Sequence, residues 1–150
     1  MRDQYPGEKN MIEDSNFTVT AYNKYLSERR IMGSRCGECG EFHLPARPIC
    51  SSCQNRSMDW AELNGHGKVI GLTSVEIAPS GMVERGFGRS NPYVSAIIAL
   101  DDGPSVAARI EGLATNKLSS SMSTGMSVVA DFLEETVDDK KRVILIFRPA

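Results

Sequence analysis

Four cysteines are the residues of this sequence whose type and spacing most clearly point to chemistry. They form two Cys-x-x-Cys pairs, Cys36/Cys39 and Cys50/Cys53, separated by ten residues, and the 150-residue chain contains no other cysteine. Two intervening residues let a tight turn direct both sulfurs to one point, and ten more let the chain return as a short hairpin. Four thiolates around one point are the tetrahedral set that Zn²⁺ prefers in a closed structural site. The spacing therefore predicts a zinc ribbon with these four metal ligands.

Other chemistries use similar cysteine pairs. Two disulfides would suit a secreted chain, but the first twenty residues are polar and contain no apolar segment typical of a signal peptide. A redox-active pair normally opens a helix beside a βαβ pattern, and neither pair does so. Iron, as in rubredoxin, is compatible with the spacing and stays open. His43 lies between the pairs and carries a ligand atom, but because four cysteines are present we expect it to be a surface residue.

The turns that present the cysteines need a residue with positive φ just after each pair. Gly40 follows the first pair, and glycine adopts this conformation without steric cost. After the second pair the same place is held by Gln54-Asn55, a less typical choice, although asparagine tolerates the left-handed region. Both pairs are therefore expected to form turns of the same kind.

Composition and charge restrict the classes of partner. The net charge is −2, from 17 basic and 19 acidic residues, and 41% of the residues are apolar, enough for one compact core and a small appended module. The charge is also balanced locally, with two basic and three acidic residues in 36–60 and nine and eleven in 61–150. A non-specific nucleic-acid binder needs a basic face. No apolar run reaches the length of a membrane span, so we expect a cytoplasmic protein with no membrane partner.

The elements that must position the cysteines are a helix before them and strands on either side. Residues 1–16 are polar and are expected to be disordered. An apolar stripe predicts a helix from about Thr20 to Arg30. Residues 31–35 are expected to lead into the first cysteine pair as a strand, and the alternating residues 58–63 to leave the second pair as another.

Five strands are predicted in the rest of the chain. Their expected bounds are Lys68–Ala78, Pro92–Leu100, Ser105–Ile110, Met126–Leu133 and Arg142–Phe147. A longer, helix-capable connection between the third and fourth strands favours a small closed Greek-key barrel of the OB type. The predicted fold class is mainly β: an N-terminal helix, a rubredoxin-like zinc ribbon and a five-stranded OB-fold barrel. The expected domains are 1–35, a disordered start and docking helix; 36–60, the zinc ribbon; and 61–150, the OB-fold domain.

Four details of the barrel region are also expected. The near-continuous apolar strand Pro92–Leu100 is expected to be buried on both faces. Residues 65–67, Gly-His-Gly, are expected to form a kink or bulge, and Glu134–Lys141 a charged turn. The glycine-rich segment 79–91 is either a contact surface or an idle excursion, since long loops in compact domains are often functional.

In combination, several motifs resemble a known family. The run from Tyr22 to Cys53 with Arg47-Pro48 before the second cysteine pair, the stretch from Pro92 through Pro104, and the closing Phe147–Ala150 are similar to a bacterial and archaeal family. That family joins a rubredoxin-like zinc ribbon to an OB-fold domain. The resemblance covers about residues 20–150. The sequence departs from the family pattern at Ala46, at Gln54 and in the segment 79–91.

The resemblance implies a function that the residues alone would not have shown. Family members are non-catalytic partners of thiolase-like enzymes, so the chain is expected to be an accessory subunit that helps hold or channel an acyl-CoA substrate. The implied setting is lipid, steroid or polyketide-type metabolism, with a thiolase-like protein as partner and an acyl-CoA hydratase or synthase as a further one. CoA or acyl-CoA is the implied ligand beside structural Zn²⁺. Arg47 and Arg109, which adjoin ordered elements, are the candidates for binding CoA phosphates.

Two other classes of function compete with that of an accessory subunit. An enzyme in its own right needs a nucleophile beside a base, but the cysteines are committed to metal, and His43 and His66 have no evident partner. The alternative function is a single-stranded nucleic-acid-binding OB-fold protein. That function needs exposed aromatic residues, for which Tyr93, Phe132 and Phe147 are the candidates, and a basic groove. The balanced charge argues against it, so nucleic acid is not an expected partner.

Overall fold

A computed structural model describes residues 17–112 and 124–150, which belong to two compact units. The first unit ends at Leu63 and the second begins at Asn64, a little beyond the boundary expected between residues 60 and 61. We call them the ribbon unit and the barrel unit. The expected disordered start and nearly all of the helix-capable connection after the third barrel strand lie outside the described residues. Within the described ranges, no helix is both long and apolar enough to cross a membrane.

The ribbon unit combines one helix with a three-stranded antiparallel sheet. Helix α1 (Val19–Ser27) precedes β1 (Ile31–Cys36), β2 (Phe42–His43) and β3 (Met58–Leu63), and the strand order is β2-β1-β3. The hydroxyl of Thr18 caps the helix by accepting a hydrogen bond from the backbone N–H of Ala21 at 3.1 Å. The predicted helix is confirmed in place, but it stops before Arg30 because Arg29 adopts a left-handed conformation with φ of 59°.

Strand β1 is central because it pairs with both other strands. Ser34 lies opposite His43 of β2, and Cys36 lies opposite Met58 of β3. The close approach of β2 requires a glycine at position 33, since a Cβ atom there would lie 2.4 Å from the carbonyl oxygen of His43. Gly33 therefore sets where the strand between the two cysteine pairs can lie.

An aromatic cluster packs the helix of the ribbon unit onto its sheet. The ring of Trp60 on β3 lies 4.8 Å from that of Phe17 and 5.1 Å from that of Tyr25, measured between centroids. Burial raises the pKa of the Tyr22 phenol, so this ring also packs within the unit. The two tyrosines of α1 thus contribute to the ribbon unit's own packing.

The barrel unit is a closed five-stranded barrel, as predicted. Its elements are β4 (His66–Val75), α2 (Ser80–Val83), β5 (Tyr93–Leu100), β6 (Ser105–Ile110), β7 (Ser127–Val137) and β8 (Lys140–Pro149). The strand order is β4-β5-β6-β8-β7, with β7 returning to β4. Strands β6 and β8 pair in parallel, and the other pairs are antiparallel. This order is that of the OB architecture, so the predicted fold class is confirmed.

The barrel core is built mostly from alternate residues of its strands, although the adjacent Ile146 and Phe147 of β8 are both buried. Its largest fully buried side chains are Phe147, Ile98, Ile146, Val69, Val94 and Val128. Along strand β5 buried residues alternate with more exposed ones, and Ile97 is 49% exposed between the buried Ala96 and Ile98. The expected burial of this strand on both faces is therefore wrong, because a strand of a closed barrel turns only one face inward.

Two connections differ from expectation. The predicted charged turn Glu134–Lys141 is instead a long hairpin of β7 and β8, and only Asp138 and Asp139 form its turn, with φ values of 50° and 60°. Positive φ at both central positions matches the twist of the strands, so the flanking charged residues continue the ladder. In β4 the register irregularity lies between Val69 and Gly71, while in the predicted kink at residues 65–67 the backbone of Gly65 has a φ of 75°.

Candidate metal centre

Two matching turns present the cysteines. The backbone N–H of Gly40 donates to the carbonyl of Cys36 at 3.0 Å, and that of Gln54 donates to the carbonyl of Cys50 at 3.0 Å. Gly40 has φ of 74° and Gln54 has φ of 60°. Both turns therefore place a left-handed residue after the cysteine pair, as predicted, and in the second turn glutamine takes the place of glycine.

The structure brings the four predicted ligands together. Their sulfur atoms all lie within 4.8 Å of one another, with 3.5 Å between Cys36 and Cys53 and 3.5 Å between Cys39 and Cys50. Tetrahedral zinc with Zn–S bonds of about 2.3 Å needs sulfurs separated by roughly 3.8 Å. The donor set fits this ion. Cys36 and Cys50 are buried, whereas Cys39 and Cys53 are exposed.

The electrostatics of the cysteines favours a bound cation. The backbone N–H of Cys39, supported by that of Glu38, lowers the pKa of the Cys36 thiol to about 7. For Cys39 the Glu41 amide acts in the same direction, but contacts with the Cys50 sulfur and burial outweigh it and raise the pKa to about 12. One thiolate forms readily and then disfavours the next. A zinc ion removes this conflict, since thiols that coordinate it are deprotonated.

His43 is buried beside these sulfurs, so the prediction of a surface residue is wrong. The residue is 7% exposed, its Nε2 lies 3.4 Å from the sulfur of Cys50, and its Nδ1 lies 3.5 Å from the hydroxyl of Ser51. Four cysteines already complete a metal site, and their spacing does not indicate which face of the hairpin His43 occupies. The alternation of side chains is a weak signal for burial here, because β2 is only two residues long. Alternation from the half-buried Phe42 would still have turned His43 to the opposite face.

The two arginines predicted to bind CoA phosphates have different surroundings. Arg47 is exposed in the ribbon unit, and its backbone N–H donates to the fully buried hydroxyl of Ser34 at 2.9 Å. Arg109 is in the barrel unit with only 9% of its side chain exposed. Its Nη2 lies 2.7 Å from a carboxylate oxygen of Glu111 and 3.4 Å from one of Glu135. A phosphate would have to compete with these carboxylates at Arg109 but not at Arg47.

A pocket of about 240 Å³ opens beside Arg109. It is lined by Phe87, Tyr93, Arg109, Ile110, Glu111 and Gly112. The Phe87 ring lies 5.0 Å from the guanidinium carbon of Arg109 and 5.3 Å from the Tyr93 ring. The segment 79–91 thus contributes an aromatic wall to the barrel through Phe87, and it contains helix α2.

The aromatic residues that a nucleic-acid-binding barrel would use are only partly accessible. Phe147 is fully buried, so no base can stack on it. Tyr93 is half-buried and its ring packs against Phe87. Of the three candidates only Phe132 is left without a described aromatic contact, and one ring does not form a stacking platform.

Comparison with known proteins relates both units to one family. Residues 24–59 match the family described as ChsH2, rubredoxin-like zinc ribbon domain, and residues 60–133 match ChsH2, C-terminal OB-fold domain. The chain belongs to the ChsH2 (DUF35) family. The resemblance found in the sequence is therefore confirmed. The family's zinc ribbon and the four converging sulfurs together support a structural zinc ion as the metal.

Relatives of the ChsH2 (DUF35) family span most of this chain. A protein of Pyrococcus furiosus is 33% identical over 109 residues, which are 72% of this chain and 76% of that protein. A protein of Methanocaldococcus jannaschii is 34% identical over 120 residues, 77% of this chain and 79% of that protein. Both are named DUF35 domain-containing scaffold proteins.

Solved structures of the family share the fold. The Ltp2-ChsH2(DUF35) aldolase aligns with a TM-score of 0.68 and 27% identity, over 87% of this chain and 92% of that chain. A DUF35 protein of unknown function from Sulfolobus solfataricus aligns with a TM-score of 0.58 over 93% of this chain and 92% of that chain. Its 19% identity supports the fold alone.

Proposed function

We propose that this chain is a non-catalytic accessory subunit that binds a thiolase-like enzyme and helps hold or channel an acyl-CoA substrate. The observation that carries the proposal is the likeness to the Ltp2-ChsH2(DUF35) aldolase, whose name pairs a DUF35 protein with a second protein. The alignment takes in both units of this chain. The scaffold names of the archaeal relatives support a role through partners as well.

The metal centre supports a structural role over a catalytic one. Four cysteine sulfurs complete the coordination of zinc, so no position is left for an activated water or a substrate. A ribbon with one helix and short strands has little apolar core of its own, and metal–thiolate bonds supply much of its folding free energy. In this proposal zinc shapes a surface and takes no part in chemistry.

We place the docking surface for the thiolase-like enzyme on the ribbon unit, at the start of helix α1. Val19 is 75% exposed there, on the helix expected to dock. Beside it lies a shallow pocket of about 160 Å³ lined by Phe17, Thr18, Val19, Tyr22, Pro45, Ala46 and Trp60. An exposed apolar residue next to an aromatic-lined pocket has the form of an interface hot spot.

In this proposal two arginines bind the phosphates of CoA. Arg47 is the first candidate for a CoA phosphate because it is exposed and, among the described residues, forms no ion pair, while the backbone bond to Ser34 fixes its position. Arg109 is the second candidate, at the 240 Å³ pocket of the barrel unit. An acyl-CoA hydratase or synthase is a further partner that fits this role, in lipid, steroid or polyketide-type metabolism.

A native pull-down tests the proposal. The tagged full chain, recovered from its own organism, is expected to bring down a thiolase-sized protein that mass spectrometry identifies as a thiolase relative. Val19→Lys is expected to lose this protein, whereas Asn23→Lys, on an exposed position of the same helix, is expected to retain it. Recovery of the wild-type chain only as a free monomer, with no heat on titration with CoA, would count against the proposal.

A further inference from the structure

Within residues 17–112 and 124–150, His43 is the one buried ionisable side chain beside the metal centre that the ligand set does not use. Its ring is fixed from both ends: Nε2 lies 3.4 Å from the sulfur of Cys50, and Nδ1 lies 3.5 Å from the hydroxyl of Ser51. Its backbone is fixed by pairing with Ser34, which itself is fully buried. The ring is therefore held in one orientation against one sulfur.

We propose that His43 donates its Nε2–H to the zinc-bound thiolate of Cys50 and thereby keeps this sulfur on the metal. A thiolate has no hydrogen and acts only as an acceptor, so the hydrogen of this contact must come from the ring. The hydroxyl of Ser51 can then donate to the unprotonated Nδ1, which selects the tautomer with hydrogen on Nε2. Outer-sphere hydrogen bonds of this kind hold metal ligands in place.

The contact distinguishes Cys50 from the exposed half of the site. Cys36 is the other buried cysteine. Cys39 and Cys53 are exposed, so solvent, chelators and electrophiles reach them first. A hydrogen bond draws electron density from a thiolate and reduces its reactivity toward electrophiles. Zinc loss is then expected to begin at Cys39 and Cys53, with Cys50 as the ligand released last.

A competing arrangement would make His43 a ligand. Donor atoms of Glu41, His43 and Cys50 also lie within 4.8 Å of one another. In that arrangement the nitrogen would replace one exposed cysteine, and the metal would have three sulfurs and one nitrogen. The four sulfurs form a complete group that does not include His43, and the ring nitrogen contacts the sulfur of Cys50, so the structure favours the outer-sphere role.

The rate of zinc transfer from the full chain to a chromogenic chelator tests the role of His43. His43→Leu removes the donor and is expected to release zinc about 10- to 100-fold faster, the usual effect of losing an outer-sphere partner. His43→Gln offers an amide N–H at the position of Nε2 and is expected to stay within about threefold of wild type. His66→Leu, at an exposed histidine of the barrel unit, is the matched control and is expected to leave the rate unchanged.

Cobalt substitution gives a second readout that a merely structural role would not change. In Co²⁺-loaded protein, His43→Leu is expected to keep the charge-transfer intensity of four thiolates and to shift the band to lower energy, because the thiolate loses its hydrogen bond. A wild-type spectrum of three thiolates and one nitrogen would overturn the proposal. So would a wild-type release rate in His43→Leu, or an equally fast release in His43→Gln. If His43→Leu fails to fold, the glutamine variant and the wild-type cobalt spectrum still decide the matter.

Discussion

The substitution Gly33→Ala tests how the ribbon unit positions its metal centre. A Cβ atom at residue 33 would lie 2.4 Å from the carbonyl oxygen of His43 and 3.4 Å from its carbonyl carbon. Both atoms belong to the backbone of β2, so no side-chain rotation relieves the clash. Strand β2 must move away from β1, and His43 moves with it, away from the sulfur of Cys50.

The expected cost follows from two opposing effects. Overpacking of this kind costs about 1–3 kcal/mol, whereas replacing glycine by alanine gains about 0.4–1 kcal/mol by restricting the unfolded chain. Because the contact is with backbone atoms, the cost lies in the upper part of its range, about 2–3 kcal/mol. The net loss for the ribbon unit is then about 1–2.6 kcal/mol, which lowers the apparent zinc affinity roughly 5- to 80-fold. Competition between the full chain and a chelator of known affinity measures this change.

Gly71→Ala is the matched control for this substitution. Its Cβ atom would meet no described atom within 4 Å, and Gly71 is not among the glycines with positive φ. It shares the effect on the unfolded chain but not the clash, so zinc affinity is expected to equal that of wild type. If Gly33→Ala also binds zinc like wild type, the argument that β2 depends on glycine at this position is refuted.

Further predictions concern the ligand set and the arginines. Cys39→Ser is expected to abolish tight zinc binding and partner association while the barrel keeps its circular dichroism and melting transition; co-purification of the partner at wild-type yield would contradict this. Arg47→Gln is expected to weaken CoA binding by the assembled complex about tenfold by calorimetry, the loss typical of one charge-assisted hydrogen bond, and an unchanged affinity would remove Arg47 from the site. Arg109→Gln removes the cation from Glu111, while Arg85 still pairs with Glu135, and is expected to lower the free energy of unfolding of the barrel by about 2 kcal/mol in urea titration, whereas the exposed Arg142→Gln is expected to be neutral.

The sequence predicted those features that depend on local signals. Cysteine spacing alone predicted that the four sulfurs would converge, and Gly40 predicted the first turn, because a tight turn is specified by a few adjacent residues. The strands of the barrel followed from runs of apolar and β-branched residues. Their order followed from the family resemblance and from a long connection between the third and fourth strands.

Features that depend on contacts between distant segments were missed. The ion pair between Arg109 and Glu135 joins residues 26 apart in sequence, and no local pattern marks them as partners. The burial of His43 arises from the pairing of β2 with β1. A strand of two residues is too short to be predicted from its sequence pattern. The hairpin around Asp138 and Asp139 differs from the predicted long turn because its strands are partly exposed to solvent. Charged residues are tolerated in such strands, so the sequence there resembles a turn.

Native mass spectrometry of the tagged chain from its own organism tests most directly whether a zinc-shaped scaffold serves a thiolase-like enzyme. The account predicts an assembly that contains this chain with one tightly bound zinc ion and a thiolase-like protein, and that dissociates when zinc is removed. A chain that carries no metal, or an assembly that survives complete removal of zinc, would contradict the account.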